Sequence, residues 1–216
     1  REWRTLNRPQ LRKIAAISRY AADQLFHHYT IPPKRTQIIP NAAEAAVPDD
    51  DERGELRQRT RRSLGLEDDE VAFLFVAMNP RLKGAFPLCR AMQRLVRDHP
   101  EARLLIAGDM PWPVLREIQR RRLTDVARII GPTRQMRTLY LAADVTVLPT
   151  FYDPSSKVVL ESLLYGVPAV STLFNGASQW IYSPSGEHPI PTPFDVEPRG
   201  LFRHDREQPA GRVIGT

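Results

Sequence analysis

Cysteine is almost absent from this 216-residue chain: Cys89 stands alone. No internal disulfide can form, and a reducing compartment, the cytoplasm, is the expected setting. Cys89 falls in a helical pattern and reads as a small buried hydrophobe. Long apolar runs are missing as well. None approaches the ~20 residues that a membrane-spanning helix needs, and no charged-then-apolar leader opens the sequence. Lysine is scarce. Of 31 basic residues only Lys13, Lys34, Lys83 and Lys157 are lysine, so the formal charge of +6 rests mostly on arginine. Two arginine clusters, Arg57/Arg59/Arg61/Arg62 and Arg120–Arg122, carry no interleaved aromatics. They read as solvated helix faces, with a membrane surface as the second reading and nucleic acid a distant third. There is no Gly-x-Ser-x-Gly elbow and no internal repeat. His27 and His28 sit beside Tyr29 without metal-ligand spacing, so a structural or exposed role is expected for them.

Apolar residues make up 42% of the chain, enough for a real core. Short apolar runs alternate with amphipathic helical patterns from Val71 to Thr172. The runs are VAFLFVA (71–77), ARLLIAG (102–108), VARIIG (126–131), VTVLP (145–149) and PAVST (168–172). Helical spacing occupies Phe86–Arg97, Val114–Arg122, Met136–Ala143 and Val158–Tyr165. Near-continuous apolar strands linked by helices predict an α/β fold, a Rossmann-like doubly wound parallel sheet covered on both faces. Upstream, strands are expected at Lys13–Ser18 and Thr36–Ile39 with a helix at Arg19–Tyr29 between them. The polar, acidic stretch Glu44–Glu55 reads as a linker. Beyond Ile181 the composition turns to Pro, Gly and charge with no helical or strand period. The expected organisation is 1–48 as the end of one domain with its linker, 49–182 as the Rossmann-like domain, and 183–216 as an irregular tail.

Ligands of such sheets sit beyond the carboxyl ends of the strands. Asn79-Pro-Arg81-Leu-Lys83-Gly84 follows the first strand, where a Rossmann fold places a phosphate. The Gly-rich fingerprint is absent there, so charge must replace close backbone approach: Lys83 as a point charge, Arg81 as a planar fork. Gly84 lets the chain turn into its helix. On the same edge, Ser155 and Ser156 are N-cap candidates for the next helix, and the N–H groups of Lys157, Val158 and Val159 would face an anion. Asp153 precedes that helix in a Pro/Ser loop, where an Asp-Pro turn also accounts for it. Glu161, eight residues later, is a carboxylate in an otherwise apolar helix and needs partners. A surface pair with Lys157 or the two donors of a ribose diol would serve. Asn175-Gly176, Gly108-Asp109 and Gly131-Pro132 end further strands on this rim. Anion-binding amides flanked by two carboxylates suit the mixed phosphate and hydroxyl groups of a nucleotide-sugar.

Several stretches together resemble glycosyltransferase family 4, the retaining enzymes of GT-B fold that include bacterial lipopolysaccharide-core and mannosyl transferases. They are ISRYAADQLFHHYTIPPKRTQIIPNAAE (17–44), FVAMNPRLKG (75–84), LLIAGD (104–109), IIGPT (129–133) and LYLAADVTVLPTFYDPSSKVVLESLLYGVPAVSTLFNGA (139–177). By that resemblance the chain is the C-terminal, donor-binding half of a GT-B enzyme, preceded by a fragment of the first domain. The implied catalytic set is Asp153, Lys83 and Glu161. Lys83 and Arg81 would neutralise the donor diphosphate, Glu161 would hold the ribose, and Asp153 would stand near the sugar hydroxyls. Ser156 and the backbone at Lys157 and Val158 would contact phosphate, and Gly108 and Gly131 would border the base. The resemblance implies a UDP- or GDP-sugar donor, a cell-envelope glycan or lipid-linked acceptor, and peripheral contact with the inner face of the cytoplasmic membrane. It implies no cofactor, no dissociable metal and no nucleic acid.

The sequence departs from that pattern in three places. Asp153 stands where glutamate is commoner, Asn41-Ala42-Ala43 replaces the usual Asn-Gly, and the match stops near Ile181. The tail after about Ser183 therefore reads as a frame error or a degenerate end. The acceptor side would lie in another half, so the 216-residue chain alone is expected to have little or no transferase activity. A nucleotide-binding module without catalysis is the alternative. A phosphorylase of the same fold would need a cofactor-anchoring lysine, and none of the four lysines stands out as one.

Overall fold

The computed structural model describes residues 2–6, 8, 10–43, 46–182 and 211–214. It opens with a short helix, α1 (Glu2–Leu6). A small parallel pair follows, β1 (Ile14–Ala16) and β2 (Thr36–Ile38), connected through α2 (Arg19–Tyr29). Ser18 caps α2 by accepting from the Ala21 amide at 3.0 Å. The helix ends where Thr30 turns left-handed at φ 58°.

The main body then runs α3 (Asp50–Ser63), β3 (Val71–Ala77), α4 (Ala85–Asp98), β4 (Ala102–Gly108), α5 (Trp112–Arg120), β5 (Ala127–Gly131), α6 (Met136–Ala142), β6 (Val145–Leu148), α7 (Lys157–Leu164), β7 (Ala169–Thr172), α8 (Gln179–Tyr182) and β8 (Gly211–Ile214). All strands of its sheet are parallel, in the order β5-β4-β3-β6-β7-β8. Order reverses between β3 and β6, which is the topological switch point of a doubly wound sheet. The expected fold is the observed one, and the expected strands and helices agree within about two residues at each end.

Alternation explains why the strands read as unbroken apolar runs. Phe75 and Ala77 of β3, with Leu104 and Ile106 of β4, face a core built with Leu88, Cys89 and Met92 of α4, Val114 and Ile118 of α5, and Val159 of α7. Their neighbours Ala72, Leu74, Leu105 and Ala107 face the opposite core, with Leu139, Tyr140 and Leu141 of α6. Both faces are covered, so neither set of strand side chains can be polar. Cys89 is buried as expected, at 2% exposure. Burial, followed by the nearby Glu117 carboxylate, pushes its thiol up to about 11.

Three expectations are corrected. The acidic stretch read as a linker becomes helix at Asp50, because its acids are helix-starting groups. Asp49 Oδ1 accepts from the Glu52 amide at 2.9 Å, and Asp50, Asp51 and Glu52 fill the first turn against Arg61 and Arg62 in the last. The arginine clusters are only partly solvated faces. Arg61 is 4% exposed; its guanidinium donates to the carbonyls of Ala142, Glu67 and Glu70 and to Asp144 at 3.2 Å. Arg57 reaches the Leu141 and Ala143 carbonyls and Asp144. Together they pin α3 across the α6–β6 turn. Arg120 and Arg121 close on the buried Glu117 carboxylate. The third correction concerns the tail: Gly211–Ile214 is a strand parallel to β7. The rest of 183–216 lies outside the described residues.

Candidate functional site

The turns after β3 and β6, on either side of the switch point, are laced together. Leu82 O accepts from the Phe151 amide at 3.0 Å and from Thr150 Oγ1 at 3.2 Å. Gly84 takes φ 86°, and a Cβ there would lie 2.0 Å from Pro149 O. Only glycine allows this approach. Lys83 is thereby carried to the β6 side. Its Nζ meets Asp153 Oδ2 at 2.6 Å and the Tyr152 carbonyl at 3.4 Å.

Asp153 is 8% exposed. Its backbone bridges to the end of β7, donating to Phe174 O at 2.9 Å and accepting from Gly176 N at 2.8 Å. Its second carboxylate oxygen accepts from Ser155 N at 3.1 Å, the Asp turn that the sequence offered as the plain explanation. Turn former and ion-pair partner are one side chain. Asn175, expected only as a turn residue, is a hub: its Oδ1 accepts from Ser156 N at 3.2 Å and Ala177 N at 3.0 Å, and its Nδ2 donates to Ser171 Oγ at 2.9 Å.

Ser156 is the N-cap of α7, but its hydroxyl makes no capping bond. Ser155 Oγ is buried without a hydrogen-bond partner among the described residues. The serines therefore do not cap as expected, and among the described residues no side chain bonds the first-turn amides of α7. Lys157 is exposed and Val158 half-buried beside them. Glu161, half-buried one turn on, does not pair with Lys157. Its Oε2 accepts from the Tyr140 hydroxyl at 2.9 Å. Tyr140 is 1% exposed and stacks on Tyr165 at 5.6 Å. Burial, then the Glu161 charge, raises the Tyr140 pKa well above the usual phenol range, so it is a standing donor.

Arg81 is exposed on the Lys83 loop, and Gly108 and Gly131 end neighbouring strands on this edge. None of the three is hydrogen-bonded to the Lys83–Asp153 pair. Gly108 has its own structural reason: a Cβ there would lie 2.1 Å from Ala77 O. Gly131 has nothing within 4 Å of the same position. Tyr140 escaped the sequence reading, although a tyrosine inside an apolar helix announces a hydroxyl in need of an acceptor. Among the described residues no three His, Cys, Asp or Glu side chains gather as a metal site, no helix is long and apolar enough to cross a membrane, and His27 and His28 are exposed.

The sequence profile of the family described as glycosyl transferases group 1 matches residues 70–190. An uncharacterized glycosyltransferase of Methanocaldococcus jannaschii is 29% identical over 176 residues, covering 78% of this chain and 44% of that protein. A D-inositol 3-phosphate glycosyltransferase of Pseudarthrobacter chlorophenolicus is 30% identical over 181 residues, covering 79% and 41%. The crystal structure of Anabaena HepE in complex with UDP and glucose superposes with a TM-score of 0.65 at 17% identity, covering 80% of this chain and 47% of that one. The chain thus spans less than half the length of each of these proteins.

Proposed function

Starting from the fact that this chain belongs to the glycosyl transferases group 1 family, we propose that it supplies the nucleotide-sugar-binding part of a retaining, family 4-type hexosyltransferase. The donor is a UDP- or GDP-sugar, and the acceptor a cell-envelope glycan or lipid. The observation that carries this reading is the meeting of Lys83 Nζ and Asp153 Oδ2 at 2.6 Å, across the switch point and beside the start of α7, whose N-cap side chain makes no capping bond.

In this reading a diphosphate lies against Lys83, Arg81 and the Ser156–Val158 backbone. Lys83 then shares its charge between phosphate and Asp153, and an Asp153 oxygen is released toward the sugar hydroxyls. Glu161 accepts from the ribose. Gly131, open around its Cα, gives the base room beside the backbone, with Gly108 on the neighbouring strand. As the glycosidic bond breaks, negative charge grows on the departing nucleotide. A lysine, an arginine and a helix N-terminus already in place stabilise it with little reorganisation. No step calls for a metal. The Pseudarthrobacter relative favours a second acceptor class, a small phosphorylated polyol. Contact with the inner membrane face belongs to the lipid-acceptor form of the proposal.

The test is calorimetric titration of the purified chain with UDP, GDP and ADP, beside Lys83→Ala and Glu161→Ala. One nucleotide binds, and each substitution weakens it by about tenfold or more, as expected for losing a charged contact. A folded chain that binds none of the three, or variants that bind like the parent, would overturn the reading.

A further inference from the structure

Glu161 is held before any ligand reaches it. The Tyr140 hydroxyl donates to Oε2 at 2.9 Å, while Oε1 has no partner among the described residues. Tyr140 cannot easily give way. It is 1% exposed, its ring lies nearly parallel to that of Tyr165 at an interplanar angle of 18°, and Leu139 and Leu141 belong to the same core. A phenol buried there must find an acceptor, and the carboxylate oxygen is the one it has. The carboxylate is thus fixed at two ends, by the α7 backbone and by a hydroxyl from α6. A long, flexible side chain becomes a rigid acceptor with one oxygen to offer.

We propose that Tyr140 is a positioning residue that aims the open oxygen of Glu161 at the ribose hydroxyls of the bound nucleotide. The inference rests on the ribose role given to Glu161 above. Tyr140 itself touches no ligand. Burial keeps the phenol protonated, so it stays a donor.

Tyr140→Phe removes one oxygen and keeps the ring, the stack and the core volume. UDP, GDP and ADP are titrated into the parent chain, Tyr140→Phe and Glu161→Ala, each beside its 2′,3′-dideoxy counterpart, with near-ultraviolet circular dichroism checking the fold. The expected result is a loss of about 3- to 10-fold in ribonucleotide affinity for Tyr140→Phe, with dideoxynucleotide affinity unchanged. A purely structural tyrosine would weaken both nucleotides alike, and that outcome overturns the proposal. So does Tyr140→Phe binding ribonucleotide like the parent while Glu161→Ala binds it poorly. If Glu161→Ala is silent, or a folded parent chain binds none of the three, the ribose reading itself falls and takes the inference with it.

Discussion

Gly84 shows how one missing methyl places a charge. Any Cβ there would lie 2.0 Å from Pro149 O, and its φ of 86° belongs to the left-handed region. Gly65 has a similar φ of 65° but nothing within 4 Å, so it separates conformational strain from collision. Gly84→Ala is expected to cost about 1–3 kcal/mol more than Gly65→Ala in denaturant titration. It should also move Lys83 away from Asp153 and weaken nucleotide binding. Equal losses at the two glycines would mean that the Pro149 approach is unimportant. At this scale the sequence was half legible. Glu161 stood out as a carboxylate within an apolar helix, whereas Lys83 and Asp153, each with an ordinary explanation alone, stood out only because their loops share one rim of the sheet. Tyr140 and Asn175 did not, because their importance lies in which atoms they reach, and those partners are 21 and 19 residues away.

Elements were legible wherever burial imposed a period. The five strands and four helices from Val71 to Leu164 and on to Thr172 obey it, so their limits came out nearly right. Helix α3 did not, because its stability comes from ends rather than a face: acids at its start, and arginines that clamp carbonyls of α6 and of the turn that follows it. Helix α5 shows the same dependence on arginine. Burial by itself raises the Glu117 carboxyl, yet hydrogen bonds and charge from Arg121 and Arg120 outweigh it and hold it below the usual carboxylate range. A carboxyl depressed in the folded state adds stability that is present above its unfolded value of about 4.3 and is lost as pH falls through the lower, folded value. The melting temperature of the parent should therefore exceed that of Glu117→Gln at pH 7. The gap should hold down to about pH 4.3 and close below it. A gap that stays constant down to pH 3 would contradict the assignment to this carboxylate.

On the scale of the whole molecule, the β1–α2–β2 unit meets the main body through the Tyr20–Tyr152 ring pair at 5.9 Å and a few polar contacts. Ser18 Oγ donates to Pro154 O at 2.6 Å, Asn41 Nδ2 to Ser155 O at 3.1 Å, and Arg19 N to Gln179 Oε1 at 3.4 Å. The first two end on the very loop that carries Asp153. Removing both, as Ser18→Ala with Asn41→Ala, should speed limited proteolysis within residues 40–49 several-fold while the core melts at nearly the parent temperature. An unchanged cleavage rate would show that these two hydrogen bonds do not hold the unit. The presence of two apolar faces told the fold class from the sequence. The Ser18 and Asn41 contacts were invisible in it, since each joins a side chain to a backbone carbonyl more than 110 residues away.

The strand order has a mechanical consequence. β3 and β6 pair over only Phe73–Val145 and Leu74–Thr146, and the turns beyond them carry Lys83 on one bank and Asp153 and Glu161 on the other. A ligand gripped from both banks would act as a tie-rod across this short seam. Its binding energy would be felt as resistance to splaying, and the molecule would be stiffest when loaded.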